Sequence, residues 1–337
     1  MVLTSSCKVD LVGAAKLLFD LTHPAHASPS LHPIRPAFCR GEGREATTCS
    51  GEYFITVQAM VMNNAVGLPT VGGFGDVHTL VDLAVAAEQH GWDGVHLWDH
   101  VLYHESGWPV ASPVVAAAAI AASTSRVRII LTVALPRRQV QDIAQDAAGI
   151  DALSRRRLTV LATIGSMDRE YTDFGLDPDL RTRGRALDER LHRLVELWSQ
   201  WSVPPIPIWC GGRWPHKPGL RRAARFDGAM PTFADQRSDG ATIEQFAAAA
   251  SFVRRLAPGG FDIALEGATD GPDQAQRVAR YADAGATWWI EALGWWRGDK
   301  NAAMSRVIAG APAQPEGDSH GSTPGAEHAR GRQASQP

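Results

Sequence analysis

The stretch Trp92-Asp93-Gly94-Val95-His96-Leu97-Trp98-Asp99-His100 reads as a short strand, entered after Gly91 and closed by an acid–imidazole pair. Upstream, Val77 to His90 places Leu80, Leu83, Ala84 and Ala87 on one helical stripe, which Gly91 ends. Downstream, the apolar run Pro113 to Ala122 leads to a second β-type segment, Val127 to Val133. The alternation continues both ways and yields eight β-type runs: Ala65 to Leu68, Gly94 to Trp98, Val127 to Val133, Leu158 to Ile164, Ile206 to Cys210, Gly228 to Met230, Ile263 to Glu266, and Thr287 to Ala292. Strands alternating with helical patterns, such as Leu187 to Trp198, predict parallel βαβ units. After the first run the chain reads Pro69-Thr70-Val71-Gly72-Gly73-Phe74-Gly75, without the G-x-G-x-x-G spacing of an open dinucleotide-binding sheet. The expected class is therefore α/β, closed as a (β/α)8 TIM barrel with its functional residues at the C-terminal strand ends.

Beyond those runs the chain changes character. Residues 1–60 lack periodicity and read as a disordered arm or a mis-assigned start, with Met60 or Met62 as the true start in the second case. The barrel is expected over 62–310, and the Gly/Ser/His/Arg-rich residues 311–337 read as a disordered tail. Asp10, Lys16 and Asp20 break up the apolar stretch Leu11 to Leu21, which argues against a signal peptide. The closest approach to a membrane helix, Pro113 to Ala122, is far short of the ~18 residues one needs. A net charge of −3 with mixed signs offers no footprint for nucleic acid or an anionic membrane. Cys7, Cys39, Cys49 and Cys210 show neither disulfide nor metal spacing, so no metal and a reducing cytoplasm are expected, with Cys210 a buried thiol.

Three strand ends carry candidate chemistry. Asp99 and His100 close the second strand, where they either orient one another and meet a substrate, or act as a helix cap and a satisfied imidazole. Gly211 and Gly212 follow the fifth run ahead of a helix beginning near Pro218, and read either as a phosphate cradle or as a plain turn. Gly165 and Ser166 follow the fourth, with Asp168 and Glu170 expected to cap the next helix and Tyr171 to line the pocket or pack. Trp98, Trp288, Trp289, Trp295 and Trp296 lie on or after the second and eighth strands and are expected to wall one side of the mouth. Strand alternation forbids Trp288 and Trp289 from both facing inward.

These residues, taken in order, resemble the bacterial luciferase-like superfamily of flavin- and deazaflavin-dependent oxidoreductases. The carriers include Val66-Gly67-Leu68-Pro69, Gly91-Trp92-Asp93-Gly94, Trp98-Asp99-His100, Leu135-Pro136-Arg137-Arg138, Phe174-Gly175, Gly211-Gly212 and Ala223-Ala224-Arg225-Phe226-Asp227-Gly228. The resemblance implies a luciferase-like barrel with reduced FMN, or a deazaflavin, in its mouth. Asp99 and His100 would lie near the ring and Trp98 against the cofactor, with Gly165, Ser166, Gly211 and Gly212 near its tail. It also implies a monooxygenase acting on a small organic substrate, alternatively a deazaflavin-dependent hydride-transfer enzyme, with a separate flavin reductase and a homodimer as partners. Three departures stand out: Leu161 and Thr163 occupy positions where relatives carry glycine, Val140 replaces a proline, and the link from Trp198 to Pro205 is short. They motivate a third reading, a catalytically impaired barrel that binds a ligand or partner without flavin.

Overall fold

In the computed structural model the described residues are 62–312, apart from 104, 235, 237–239 and 258. All lie in the second of two units into which the chain divides, the boundary falling between Val57 and Gln58. The proposed arm (1–60) and nearly all of the proposed tail (311–337) lie outside the described residues.

Eight parallel strands close into a barrel in sequence order. They are β1 (Asn63–Leu68), β2 (Gly94–Leu97), β3 (Arg128–Ala134), β4 (Leu158–Thr163), β5 (Ile208–Arg213), β6 (Gly228–Thr232), β7 (Asp262–Gly267) and β8 (Trp288–Ala292). Around them run α1 (Val77–Gln89), α2 (Pro113–Ser123), α3 (Val140–Leu153), α4 (Arg169–Thr172), α5 (Leu180–Gln200), α6 (Pro218–Ala223), α7 (Ile243–Arg254), α8 (Ala275–Asp283) and α9 (Lys300–Ile308). Each expected strand is present. Gly91, at φ +79°, ends the first helix region as its sequence position requires.

The fifth strand differs from expectation. It begins at Ile208 because Pro205 and Pro207 have no N–H to donate to a ladder, although the Pro207 carbonyl still accepts from Val160 N at 2.9 Å. It also runs on to Arg213, so Gly211 and Gly212 lie inside a strand rather than in the following loop.

Inside the barrel, Ile130, Leu161, Trp209, Met230, Trp288 and Ile290 form an apolar plug, with the Trp209 and Trp288 rings edge to face at 5.7 Å. Leu161 belongs to this plug. Trp289 points the opposite way and packs against Tyr281 of α8, so the pair alternates as pleating demands. Cys210 is fully buried, and burial pushes its thiol up to about 12, the inert state expected of a core cysteine.

One carboxylate joins α1 to the start of β3. Glu88 accepts from the backbone N–H groups of Ser125, Arg126 and Val127 at 3.0, 2.6 and 3.0 Å. Burial works to raise its pKa, but these amide donors outweigh burial and hold it at about 2 against an ordinary 4.5. A depressed carboxylate stabilises the fold above its unfolded pKa and loses that contribution as pH falls through the folded value. Glu88→Gln should therefore lower the urea midpoint near neutrality, and the gap to the parent should narrow from about pH 5 to about pH 3. A gap independent of pH would show that shape rather than charge matters there.

Candidate active site

Strand alternation places a polar layer above the apolar plug. His96 Nε2 lies 2.8 Å from Thr132 Oγ1, and burial lowers the imidazole to about 4, so it is neutral near neutrality. Thr163 Oγ1 accepts from Gly165 N at 3.3 Å. A Cβ on Gly211 would lie 3.1 Å from the Thr163 methyl, so the threonine in place of an expected glycine leans into room left by a glycine on the next strand.

Above this layer the loops after β2, β3 and β4 form an ionic cluster. His100 Nδ1 lies 3.1 Å from Glu170 Oε1, which also accepts from Val101 N at 2.8 Å and has Arg137 Nη1 at 3.5 Å. The Glu170 side chain is wholly buried, while His100 keeps 11% of its own exposed. A carboxylate can only accept, so the proton between them sits on Nδ1, and in the neutral imidazole Nε2 is left as an acceptor.

Asp99 does not touch His100. It accepts from Ala134 N at 2.8 Å and from Arg138 Nη2, while its own carbonyl accepts from Arg137 Nη2 at 2.7 Å. The expectation that Asp99 and His100 orient one another is thus corrected, because Ala134 of β3 supplies an amide and the segment after β3 supplies the Arg137 and Arg138 guanidinium groups, which draw the carboxylate away. Glu170, read from sequence as a helix cap, is the imidazole's partner instead. Its signal was present in Arg137 and Arg138, two cations at a strand end that need buried acids.

The other candidates separate. Gly165 (φ +72°) is half-buried and passes within reach of Tyr171, whose hydroxyl donates to the Ile164 carbonyl at 2.7 Å; Ser166 beside it is exposed. Burial raises the Tyr171 phenol, and the Arg183 guanidinium lies 3.8 Å from its ring centre. Asp168 pairs with Arg183 at 2.6 Å rather than capping α4 through its side chain. Gly212 is committed to packing: a Cβ there would stand 2.9 Å from Leu220 N, and one on Gly219 would stand 2.6 Å from Gly212 Cα. Bare backbone at 212 and 219 lets α6 lie directly on β5.

The aromatic wall is real but differently composed. Trp98 and Tyr103 are buried and gather Trp108, Trp295 and Trp296, whereas Trp288 and Trp289 belong to the plug and the outer layer. Trp98 lies parallel to Trp296, with centres 5.8 Å apart. That face of the indole is covered by protein.

The description "luciferase-like monooxygenase" belongs to a family model that matches residues 53–335. The chain belongs to that family.

No curated protein matches the chain. Among solved structures, an F420-dependent secondary alcohol dehydrogenase in complex with an F420–acetone adduct is similar at 15% identity and TM-score 0.60, over 75% of this chain and 99% of that one. The monooxygenase RslO1 from Streptomyces bottropensis is similar at 19% identity and TM-score 0.58, over 74% and 97%. The oxygenating constituent of 3,6-diketocamphane monooxygenase from Pseudomonas putida, in complex with FMN, is similar at 14% identity and TM-score 0.53, over 65% and 71%. At these identities the structures share the fold of this luciferase-like chain.

His96 Nδ1, Arg137 Nε, Glu170 Oε2 and Arg183 Nε are buried without a hydrogen-bond partner among the described residues. Three of these, on β2 (His96), after β3 (Arg137) and on α4 after β4 (Glu170), fit the polar edge of a heterocycle, while Arg183 lies on α5 against Tyr171. At Gly211-Gly212 the fit to a phosphate fails on one side, since α6 already covers Gly212. On the other side Ser166 is exposed, while a Cβ on Gly165 would stand 3.1 Å from the Tyr171 hydroxyl.

Proposed function

We propose that this barrel is an oxidoreductase that works with a reduced flavin held at its mouth. The leading form is monooxygenation of a small organic substrate with FMN delivered by a separate reductase; the alternative is hydride transfer with a deazaflavin coenzyme. The observation that carries the reading is His100, presented at the end of β2 by the buried carboxylate of Glu170 and bordered by aromatic rings. When bound, reduced FMN supplies electrons to oxygen and a reduced deazaflavin supplies a hydride.

The chain's own residues do the rest. His100 Nε2 takes or returns a proton and orients the substrate, while Glu170 fixes its tautomer. Asp99, through Arg137 and Arg138, pins the loop that carries His100. Gly165 and Ser166 offer backbone and hydroxyl to a phosphate, Gly211 leaves room beside Thr163, and Trp98 supplies a dry wall. Residues 62–310 form the catalytic domain in this reading, and the chain works in the cytoplasm. In this reading the chain pairs as a homodimer. None of the described helices is long and apolar enough to cross a membrane.

A second reading, a barrel without flavin, is favoured by the cover over Gly212. Anaerobic titration of the purified chain with reduced FMN and with the reduced deazaflavin separates the readings. Binding of one at low micromolar concentration is expected, and binding of neither at high micromolar concentration would leave only the second reading. With a bound cofactor, His100→Ala should lower turnover by about 100-fold and leave cofactor affinity within about threefold. Unchanged turnover would remove His100 from the mechanism.

A further inference from the structure

The short helix α4 carries, on consecutive residues, one side chain for each half of the candidate site. Glu170 turns toward the loop after β2, where its Oε1 stands 3.1 Å from His100 Nδ1 and accepts from Val101 N at 2.8 Å. Tyr171 turns back to the end of β4, where its hydroxyl donates to the Ile164 carbonyl at 2.7 Å. Gly165 lies against that phenol in the left-handed region, at φ +72°, and a Cβ there would stand 3.1 Å from the hydroxyl and 3.2 Å from the ring.

A helix of four residues has too few internal hydrogen bonds to hold its own place, so side chains must hold it. Both Glu170 and Tyr171 are buried. The Arg183 guanidinium of α5 covers one face of the Tyr171 ring at 3.8 Å from its centre, and is itself anchored to Asp168, at the start of the same turn, at 2.6 Å. Burial raises the phenol, so it stays protonated and donates. The partners of Glu170 all come from the loops after β2 and β3. Among the described residues, the hydrogen bond that ties α4 back to the end of its own strand is the one from Tyr171 to Ile164.

We propose that Tyr171 is a positioning residue for both halves of the site: its hydroxyl seats α4 on the end of β4, which sets the reach of Glu170 to His100, and the same bond fixes the backbone that leads into Gly165 and Ser166. The proposal rests on the reading of His100 as the reacting group. A carboxylate selects one tautomer of an imidazole only while it is held within hydrogen-bond distance. Removing one hydroxyl must therefore disturb two loops that belong to different strands, and must disturb them together.

Tyr171→Phe removes the hydroxyl and keeps the ring under Arg183. Its control is Tyr281→Phe, which deletes the same kind of bond elsewhere: the Tyr281 hydroxyl, on α8, donates to the buried Ala241 carbonyl at 2.6 Å. Both variants are read on the full-length chain without flavin, so failure here is distinct from failure of the flavin reading, which the cofactor titration decides. In 15N spectra of the neutral His100 ring, the parent should show Nδ1 protonated. Tyr171→Phe should move both ring nitrogens toward the average of the two tautomers, and Tyr281→Phe should leave them at the parent values. Amide exchange at Val101 and Gly165 should quicken together by about tenfold in Tyr171→Phe, with the amides of β6 at parent rates. Ring nitrogens unchanged in Tyr171→Phe, or moved equally by Tyr281→Phe, would overturn the proposal, because a merely structural hydroxyl has no privileged line to His100. Averaged nitrogens already in the parent, or faster exchange at only one of the two amides, would overturn it as well.

Discussion

Replacing Glu291 with alanine is expected to cost about 3–5 kcal/mol of stability, the scale for leaving buried cations without their counter-charge. The side chain of Glu291 is wholly buried on the outer face of β8. It accepts from Thr269 N at 2.8 Å, Thr269 Oγ1 at 2.7 Å, Trp289 Nε1 at 3.0 Å and Arg297 Nη1 at 2.6 Å, with Arg306 Nη2 at 3.5 Å. Burial and the neighbouring Arg297 both lower the Arg306 pKa, and Glu291 is the leading attraction that opposes them. Deleting the carboxylate therefore leaves two guanidinium groups facing each other in a site that keeps 21% of one side chain and 7% of the other exposed. For a domain of this size the thermal midpoint should fall by about 6–20 °C. Glu291→Gln keeps the shape and part of the hydrogen bonding, and should fall less. A midpoint within about 2 °C of the parent for the alanine variant would mean that the loops after β7 and β8 relax and let water in.

What the chain announced in advance, and what it concealed, follows from the range of the forces involved. Period and punctuation are local, so the strand ending at Leu97, the stripe of α1 and the stop at Gly91 could be read from neighbours a few residues away. The alternation of Trp288 and Trp289 is equally local. Partnership across the barrel is not: Glu170 meets His100 from 70 residues away, and whether it caps α4 or faces inward depends on where β2 ends in space. The surroundings of Gly212 were hidden for a related reason. A pair of glycines signals close approach of something, and only the position of α6 shows that for Gly212 the something is Gly219 and Leu220 rather than a phosphate. Leu161 looked like an obstacle to a cofactor, yet it sits one layer lower, in the plug.

The largest effect on chemistry is expected from Glu170→Gln. The glutamine is nearly isosteric, and its carbonyl oxygen can still accept from Val101 N, so the loop after β2 keeps its anchor. What disappears is the obligate acceptor: an amide can turn its NH2 toward His100 Nδ1, which then favours the tautomer with the proton on Nε2 and removes the acceptor that the mouth is proposed to use. Turnover should fall by about 100-fold, with cofactor affinity changed by less than about threefold. The direct readout is the 15N spectrum of the His100 ring. In the parent Nε2 should give the shift of an unprotonated nitrogen, and in the glutamine variant that signal should move toward the protonated value. Glu170→Asp, which keeps the acceptor but shortens the reach, should recover part of the turnover and the parent tautomer. A glutamine variant with altered ring nitrogens but full turnover would leave Glu170 a packing residue. One with lost turnover and unaltered nitrogens would place its effect on Arg137, which it also holds within 3.5 Å.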